Sequence, residues 1–313
     1  MQEQNSTNPV TIVVPIYADL PSIKECLDSL KAHVDISINK VILVNDCGPD
    51  VDDIEKYIKS AIEGFEGFSY YRNPQNLGFV GTCNRAALEL DKTDNDILLL
   101  NSDTIVTEGF LEELSAVLYA NSDIGVVSPR TNNATIATIP LAAARYKGIG
   151  AKESYKLFQK LKPHMPRYNI VPVAHGFCIL IRRSLIKEYG LFDTIFGKGY
   201  GEEVDFCMRI KEGGYKCALS NWSYVFHSEA KSFGLEAKAE LLEEGDRIIR
   251  QRYPKYHEMI SSYMKRAIEE ERAIFEKAGI KPHELELNKL KKLIKRNQMI
   301  YSLLRKLKAI IKR

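Results

Sequence analysis

The chain reads as an α/β protein with a mainly parallel central sheet flanked by helices and a helical C-terminal tail. Two observations predict this. Uniformly apolar runs of five to eight residues alternate with amphipathic segments through the first half, the pattern of βαβ units whose strands are covered on both faces. From about Leu235 onward the pattern is helical, with breaks expected at Pro254 and near residues 279–283. The division expected is one α/β domain over residues 1–235 and a C-terminal helical region over 236–313.

"VTIVVPIY" (10–17) is the first strand, and residues 22–34 the first helix with Ser22 as its cap. "KVILVND" (40–46) is the second strand, followed by a helix over 51–63. "FSYYRN" (68–73) is the third strand, residues 78–90 the third helix, and "DILLL" (96–100) the fourth strand. Residues 130–170, rich in Thr, Asn, Ala and Pro with weak periodicity, read as a mobile connection over a site. "GFCILIRRSLI" (176–186) is a strand running into a helix, and "CALSNWSYVFH" (217–227) two short strands joined by a turn.

At 313 residues, with 45 % hydrophobic and 27 % charged content, the chain has ordinary globular composition. The net charge of +3 hides an asymmetry, since residues 285–313 carry about +9 and the remainder about −6. Leu287, Leu290, Ile294, Ile300, Leu304, Leu307 and Ile311 recur there at helical spacing among Lys and Arg. Such a helix either lies on an anionic membrane surface or packs its stripe on the domain or on a second copy in a homodimer. The six cysteines form no C-x-x-C pair and read as reduced, mostly buried thiols. No secretion signal and no span of about 18 apolar residues is evident, so a cytoplasmic protein is expected, with no nucleic-acid partner.

In a parallel sheet, ligands bind outside the carboxyl ends of the strands. Asn45 and Asp46, Arg72 and Asn73, and Asn101, Ser102 and Asp103 follow successive strands and are expected on one rim. Asp103, in "ILLLNSDT" (97–104), is either a strand terminator bonded to its own backbone or a ligand group. Three glycines precede Glu202, Glu203 and Asp205 in "FGKGYGEEVDFCMR" (196–209). Those acids either complement the start of a helix or form a general-base site reached across a glycine-rich loop. His227 ends an apolar strand in "VFH" and is either structural or, with Asp103, one of the oxygen and nitrogen donors a divalent metal uses. "GFVGTCNR" (78–85) is neither a dinucleotide fingerprint nor a P-loop, and no G-x-S-x-G elbow occurs.

Taken in order, "VTIVVPIY", "VILVNDCGPD", "NPQNLGFVGTCNRA", "ILLLNSDT", "GFCILIRRS", "GYGEEVDFCMR" and "VFH" resemble the inverting family-two glycosyltransferases of the GT-A fold, over roughly residues 8–235. The spelling is similar to bacterial surface-polysaccharide enzymes, including the rhamnosyltransferase-like group. The resemblance implies a nucleotide-diphosphate sugar donor, a glycan or lipid-linked glycan acceptor, and Mn²⁺ or Mg²⁺. It makes Asp103 the metal-binding acid of the D-x-D motif, with Ser102 beside it at the donor and His227 as a second metal ligand. Asn101 stands where that motif has its first acid. The resemblance further implies that Asp46 bonds the base, that Pro15, Ile16 and Tyr17 flank it, and that Arg72, Asn76 and Asn84 lie near the ribose or diphosphate. Glu203 matches the catalytic base and Glu202 its neighbour at the acceptor, though Glu replaces the usual Asp at 203 and which of the two takes the proton stays open. Asp205 either contacts acceptor or caps the helix, and Gly176 lies on the acceptor side. Two other readings are a non-catalytic sugar-binding domain and a nucleotidyltransferase. The latter is disfavoured because "PIYADLPS" (15–22) has neither glycine nor a basic residue.

Overall fold

The computed structural model describes residues 8–141, 150–228 and 235–280. The basic stripe expected over 285–313 lies outside the described residues. A nine-stranded sheet forms the centre, in the order β3-β2-β1-β4-β8-β6-β9-β5, with β7 on β9.

β1 (Val10–Ile16), β2 (Lys40–Asn45), β3 (Phe68–Arg72) and β4 (Asp96–Leu100) are parallel, with β1 between β2 and β4. The side chains of β1, β2 and β4 are almost all buried, whereas in edge strand β3 only Phe68 is, because α1 (Leu20–His33), α2 (Val51–Ala61) and α3 (Gly78–Arg85) cover the sheet. α1 starts two residues earlier than expected. Ser22 is no cap; its hydroxyl donates to Asp19 Oδ2 at 2.8 Å, and a Pro in the first turn presets the helical φ. α3 continues as one π turn over Ala86–Leu90.

Beyond β4 the sheet is mixed, with antiparallel and parallel pairings side by side. β8 (Cys178–Ile181) enters from the rim and is antiparallel to β4 and to β6 (Ile124–Arg130). β9 (Lys216–His227) runs parallel to β6, with the short β5 (Thr104–Val106) and β7 (Tyr168–Val171) antiparallel to it. β9 is one strand of 12 residues, not two joined by a turn. The polar "SNWS" that suggests a turn is instead an irregularity, where the β6 pairing jumps from Ser220 to Tyr224.

α4 (Phe110–Leu118), α6 (Arg183–Tyr189) and α7 (Glu202–Glu212) complete the layers. The connection expected over 130–170 holds regular structure, α5 (Ala151–Leu161) and β7. Phe158, Leu161 and Met165 from this stretch bury against Tyr224 and Phe275 in a second small core. α8 (Leu235–Arg252) and α9 (Tyr256–Lys277) are separated at Pro254 as expected. Ile248, Ile249, Tyr263 and Ala267 join the core of the sheet itself, so the C-terminal helices pack as a further layer. All six cysteines are free, and five are buried.

Candidate active site

Because β1, β2, β3, β4, β6 and β9 share one direction, their carboxyl ends share one rim, and antiparallel β8 starts there. The peptide N–H of Asn101 donates to Phe177 O at 2.8 Å, joining the end of β4 to the start of β8. The Asn101 carbonyl accepts from Thr104 Oγ1 at 2.7 Å, which turns the chain into β5. Half-buried Ser102 lies in that turn.

Register brings Asp103 and His227 together. Thr104 sits opposite His227 in the β5–β9 pairing, so the residue before it faces the same ring. Asp103 Oδ1 lies 3.4 Å from His227 Nε2, each side chain 13 % exposed. The imidazole is held from three sides. Asn132 clamps the His227 backbone, accepting from its N–H at 2.8 Å and donating to its carbonyl at 3.0 Å. Phe177 stacks on the ring, centroids 5.1 Å apart and planes 18° apart. Asn133 O lies 2.9 Å from Nδ1, and since a carbonyl only accepts, that bond assigns the proton to Nδ1 and leaves the Nε2 lone pair on the side of Asp103. A ring nitrogen donating to a backbone carbonyl while the other faces a carboxylate is the arrangement of a metal-binding histidine. Among the described residues no cluster of three His, Cys, Asp or Glu forms a complete cage. Two protein donors fit a cation that takes its other ligands from substrate phosphates and water.

Asn132, Asn133 and Phe177 were not singled out from the sequence. The signal was present in "RTNNAT" (130–135), a polar cluster directly after a buried strand.

The acidic loop is built from unusual backbone. Gly197, Gly199, Tyr200 and Gly201 have φ of 56°, 133°, 74° and 101°. The loop rests on the start of α3, where Phe79 N donates to Lys198 O at 3.1 Å. A Cβ at Gly78 would lie 2.6 Å from Lys198 Cα, so only glycine allows that approach. α7 then opens with both glutamates. Glu203 lies against Gly176, where a Cβ would stand 3.4 Å from its Cγ. Burial, the largest influence, holds its carboxyl above the ordinary range. Glu202 is 4 % exposed, its Oε2 has no hydrogen-bond partner, and burial followed by the charge of Glu203 pushes it well above the ordinary range. Half-buried His175, next to Gly176, is driven down to about 4 by desolvation and then His227, and stays neutral.

Asp205 faces another way. Its fully buried carboxylate accepts from Arg209 Nε at 2.9 Å, Arg252 Nη1 at 2.7 Å and Tyr253 OH at 2.9 Å. It ties α7 to α8. Gly201, not Asp205, occupies the cap position.

The remaining rim residues are held largely by the chain. Asp46 accepts from Asn73 Nδ2 and Leu77 N at 2.7 Å and from Gly78 N at 2.9 Å, occupying the anion site at the start of α3. Asn84 clamps the Phe192 backbone, donating at 2.8 Å and accepting at 3.0 Å. Arg72 is exposed and paired with Asp52 at 2.7 Å and Glu55 at 3.1 Å. Asn76 Oδ1 is buried without a partner. Ile16 points into the core under α1, whereas Pro15 and Tyr17 are half-buried. A Cβ at Gly48 would lie 1.7 Å from Tyr17 O, so the loops after β1 and β2 touch backbone to backbone.

The model of Glycosyl transferase family 2 matches residues 11–190, more than half of the chain. The chain belongs to this family. Its α/β fold with C-terminal helices is that of GT-A glycosyltransferases. It is similar to the mannosyltransferase PcManGT from Pyrobaculum calidifontis in complex with GDP-Man and Mn²⁺, at TM-score 0.57 and 16 % identity over 94 % of this chain and 81 % of that one. GalNAc-T7 with UDP, GalNAc and Mn²⁺ superposes at TM-score 0.57 and 12 % identity over 90 % of this chain and 59 % of that chain. In sequence, the chain is 28 % identical over 154 residues to the low-salt glycan biosynthesis hexosyltransferase Agl10 of Haloferax volcanii, 45 % of this chain and 46 % of that protein. It is 27 % identical over 163 residues to the uncharacterized protein Rv1525 of Mycobacterium tuberculosis, 50 % of this chain and 56 % of that protein. The chain thus spans about half the length of the curated relatives it matches. Glu203, Asp205 and His227 lie beyond the family match, which ends at residue 190.

Proposed function

We propose that this family 2 glycosyltransferase is an inverting, metal-dependent enzyme that moves a sugar from a nucleotide-diphosphate donor to a hydroxyl of a glycan or lipid-linked glycan in surface-polysaccharide synthesis. One observation carries the reading: a half-buried acid with a raised proton affinity, Glu203, lies against Gly176 at the start of β8, and the end of β8's entry loop, Phe177, stacks on the His227 that faces Asp103.

Asp103 and His227 would hold Mn²⁺ or Mg²⁺, which when bound offsets the charge growing on the departing diphosphate. Glu203 accepts the proton of the acceptor hydroxyl, that oxygen attacks the anomeric carbon, and the diphosphate leaves on the opposite face with inversion. A carboxyl raised toward neutral pH suits that transfer. Buried Glu202, with one oxygen unpartnered inside the protein, is the group placed to bond the acceptor or share the proton. The in-chain bonds of Asp46 and Asn84 support a role in shaping the donor pocket through backbone rather than by gripping the nucleotide. Among the described residues no helix is long and apolar enough to cross a membrane. The basic sequence of residues 285–313 supports peripheral contact with anionic lipid, which liposome flotation of the full chain and a chain ending at residue 284 tests.

A thermal-shift panel of nucleotide sugars, with and without Mn²⁺ or Mg²⁺, identifies the donor by metal-dependent stabilisation. Glu203→Gln is expected to lower turnover by about 10²–10⁴-fold with donor binding intact. Full turnover in that variant removes Glu203 as the base.

A further inference from the structure

The loop bearing both glutamates is bracketed by two aspartates that meet one side chain. Asp193, at its front, accepts from Arg252 Nη2 at 2.8 Å, and Asp205, at its back, accepts from Arg252 Nη1 at 2.7 Å. The same guanidinium lies over the Phe196 ring, 5.7 Å from its centroid. We infer that Arg252 is a positioning residue for the general base, a clasp that closes the 193–205 loop on itself and fixes where Glu202 and Glu203 stand. The inference rests on Glu203 being that base.

The loop needs such a device. Four of its residues have positive φ, three are glycines, and a chain so rich in accessible conformations is held in one only by contacts from outside. α8 supplies those contacts along its length. A Cβ on Gly245 would stand 1.9 Å from Tyr200 O, one on Gly201 3.3 Å from Ile249 Cγ1, and Arg252 ends the helix at the clasp. Neutralising Asp205 alone does not call for this geometry. Arg209 already pairs with Asp205 one helical turn away, and Asp193, 37 % exposed, would be solvated even without Arg252. What only Arg252 does is join the two. Two carboxylates held by different nitrogens of one planar fork are a task that a lysine, a single point charge, cannot reproduce.

The test uses the full chain with Asp193→Asn, which opens the front of the clasp and leaves buried Asp205 paired, and Arg252→Lys. Exposed Lys198 makes the loop a trypsin site. Cleavage after Lys198, followed by mass spectrometry, is expected to speed up about tenfold in both variants as the loop opens locally. Nucleoside-diphosphate release from the donor that turns over in a panel including GDP-mannose and UDP-N-acetylgalactosamine, with Mn²⁺, is expected to show kcat down about tenfold and donor KM within about twofold. Cleavage and kcat both within about twofold of the parent, or a lower Tm with kcat unchanged, overturn the clasp. Faster Lys198 cleavage beside a Glu203→Gln variant of full turnover keeps the clasp and removes the base. A dead Glu203→Gln beside silent Asp193→Asn and Arg252→Lys does the reverse.

Discussion

Asp205→Asn separates two roles for one acid. The residue stands two positions past Glu203, where an acceptor contact is a natural expectation, yet its carboxylate is wholly buried and takes three donors from Arg209, Arg252 and Tyr253. Asn keeps the shape and removes the charge, and its amide NH₂ turns a donor toward at least one existing donor. Breaking a buried ion pair from one side costs about 3–5 kcal/mol. The low end applies here, because Arg209 still donates to the carbonyls of Tyr189 and Leu191 and Arg252 is partly solvated. With about 2.1 cal/mol/K of unfolding entropy per residue, about 3 kcal/mol corresponds to a Tm loss of roughly 5 °C for 313 residues. Differential scanning fluorimetry at neutral pH reads the shift, with nucleoside-diphosphate release measured well below the variant's Tm. A Tm within about 1 °C of the parent, with turnover abolished, refutes the structural assignment and makes Asp205 a substrate contact.

Other substitutions probe other parts of the site. His227→Ala, and separately Asp103→Asn, are expected to weaken Mn²⁺-dependent nucleoside-diphosphate binding at least about tenfold by calorimetry; unchanged binding in both returns the pair to a structural role. Glu202 has a folded-state proton affinity raised by burial, so its contribution to stability is full below the unfolded value of about 4.3 and is lost as pH rises toward the folded value. Glu202→Gln does not titrate, so its Tm advantage over the parent should grow as pH rises above about 4.3, and a pH-independent difference contradicts this. Gly245→Ala places a methyl 1.9 Å from the Tyr200 carbonyl oxygen, backbone against backbone, and should cost about 1–3 kcal/mol in urea denaturation. A neutral effect means α8 does not rest on the loop as described.

Much of this molecule was legible in the sequence because its signals are local. Apolar runs such as "DILLL" mark strands buried on both faces, and the run ends at the residue where the strand does. The rim follows from strand direction, which puts Asp103 and His227 at strand ends, whereas Glu203 stands out by its acidic, glycine-rich loop and Gly176 only through the family resemblance. Local signals misled where polar residues do long-range work. "SNWS" spells a turn, but in β9 Asn221 accepts from buried Arg130 Nε at 2.8 Å, and the strand carries on. "NNAT" spells a loop, yet it cradles His227.

The sequence by itself determined the fold class, the shared rim and the residue types a sugar transfer needs, since hydrophobic period and strand-end chemistry are properties of short stretches. Only the tertiary structure decided which surroundings each acid meets. Glu203 against Gly176 and Asp205 against Arg252 sit two residues apart on one helix, where a step of about 200° sends neighbouring carboxylates to opposite surroundings. What each meets there comes from β8 and α8, segments distant in sequence, and no local pattern encodes the meeting.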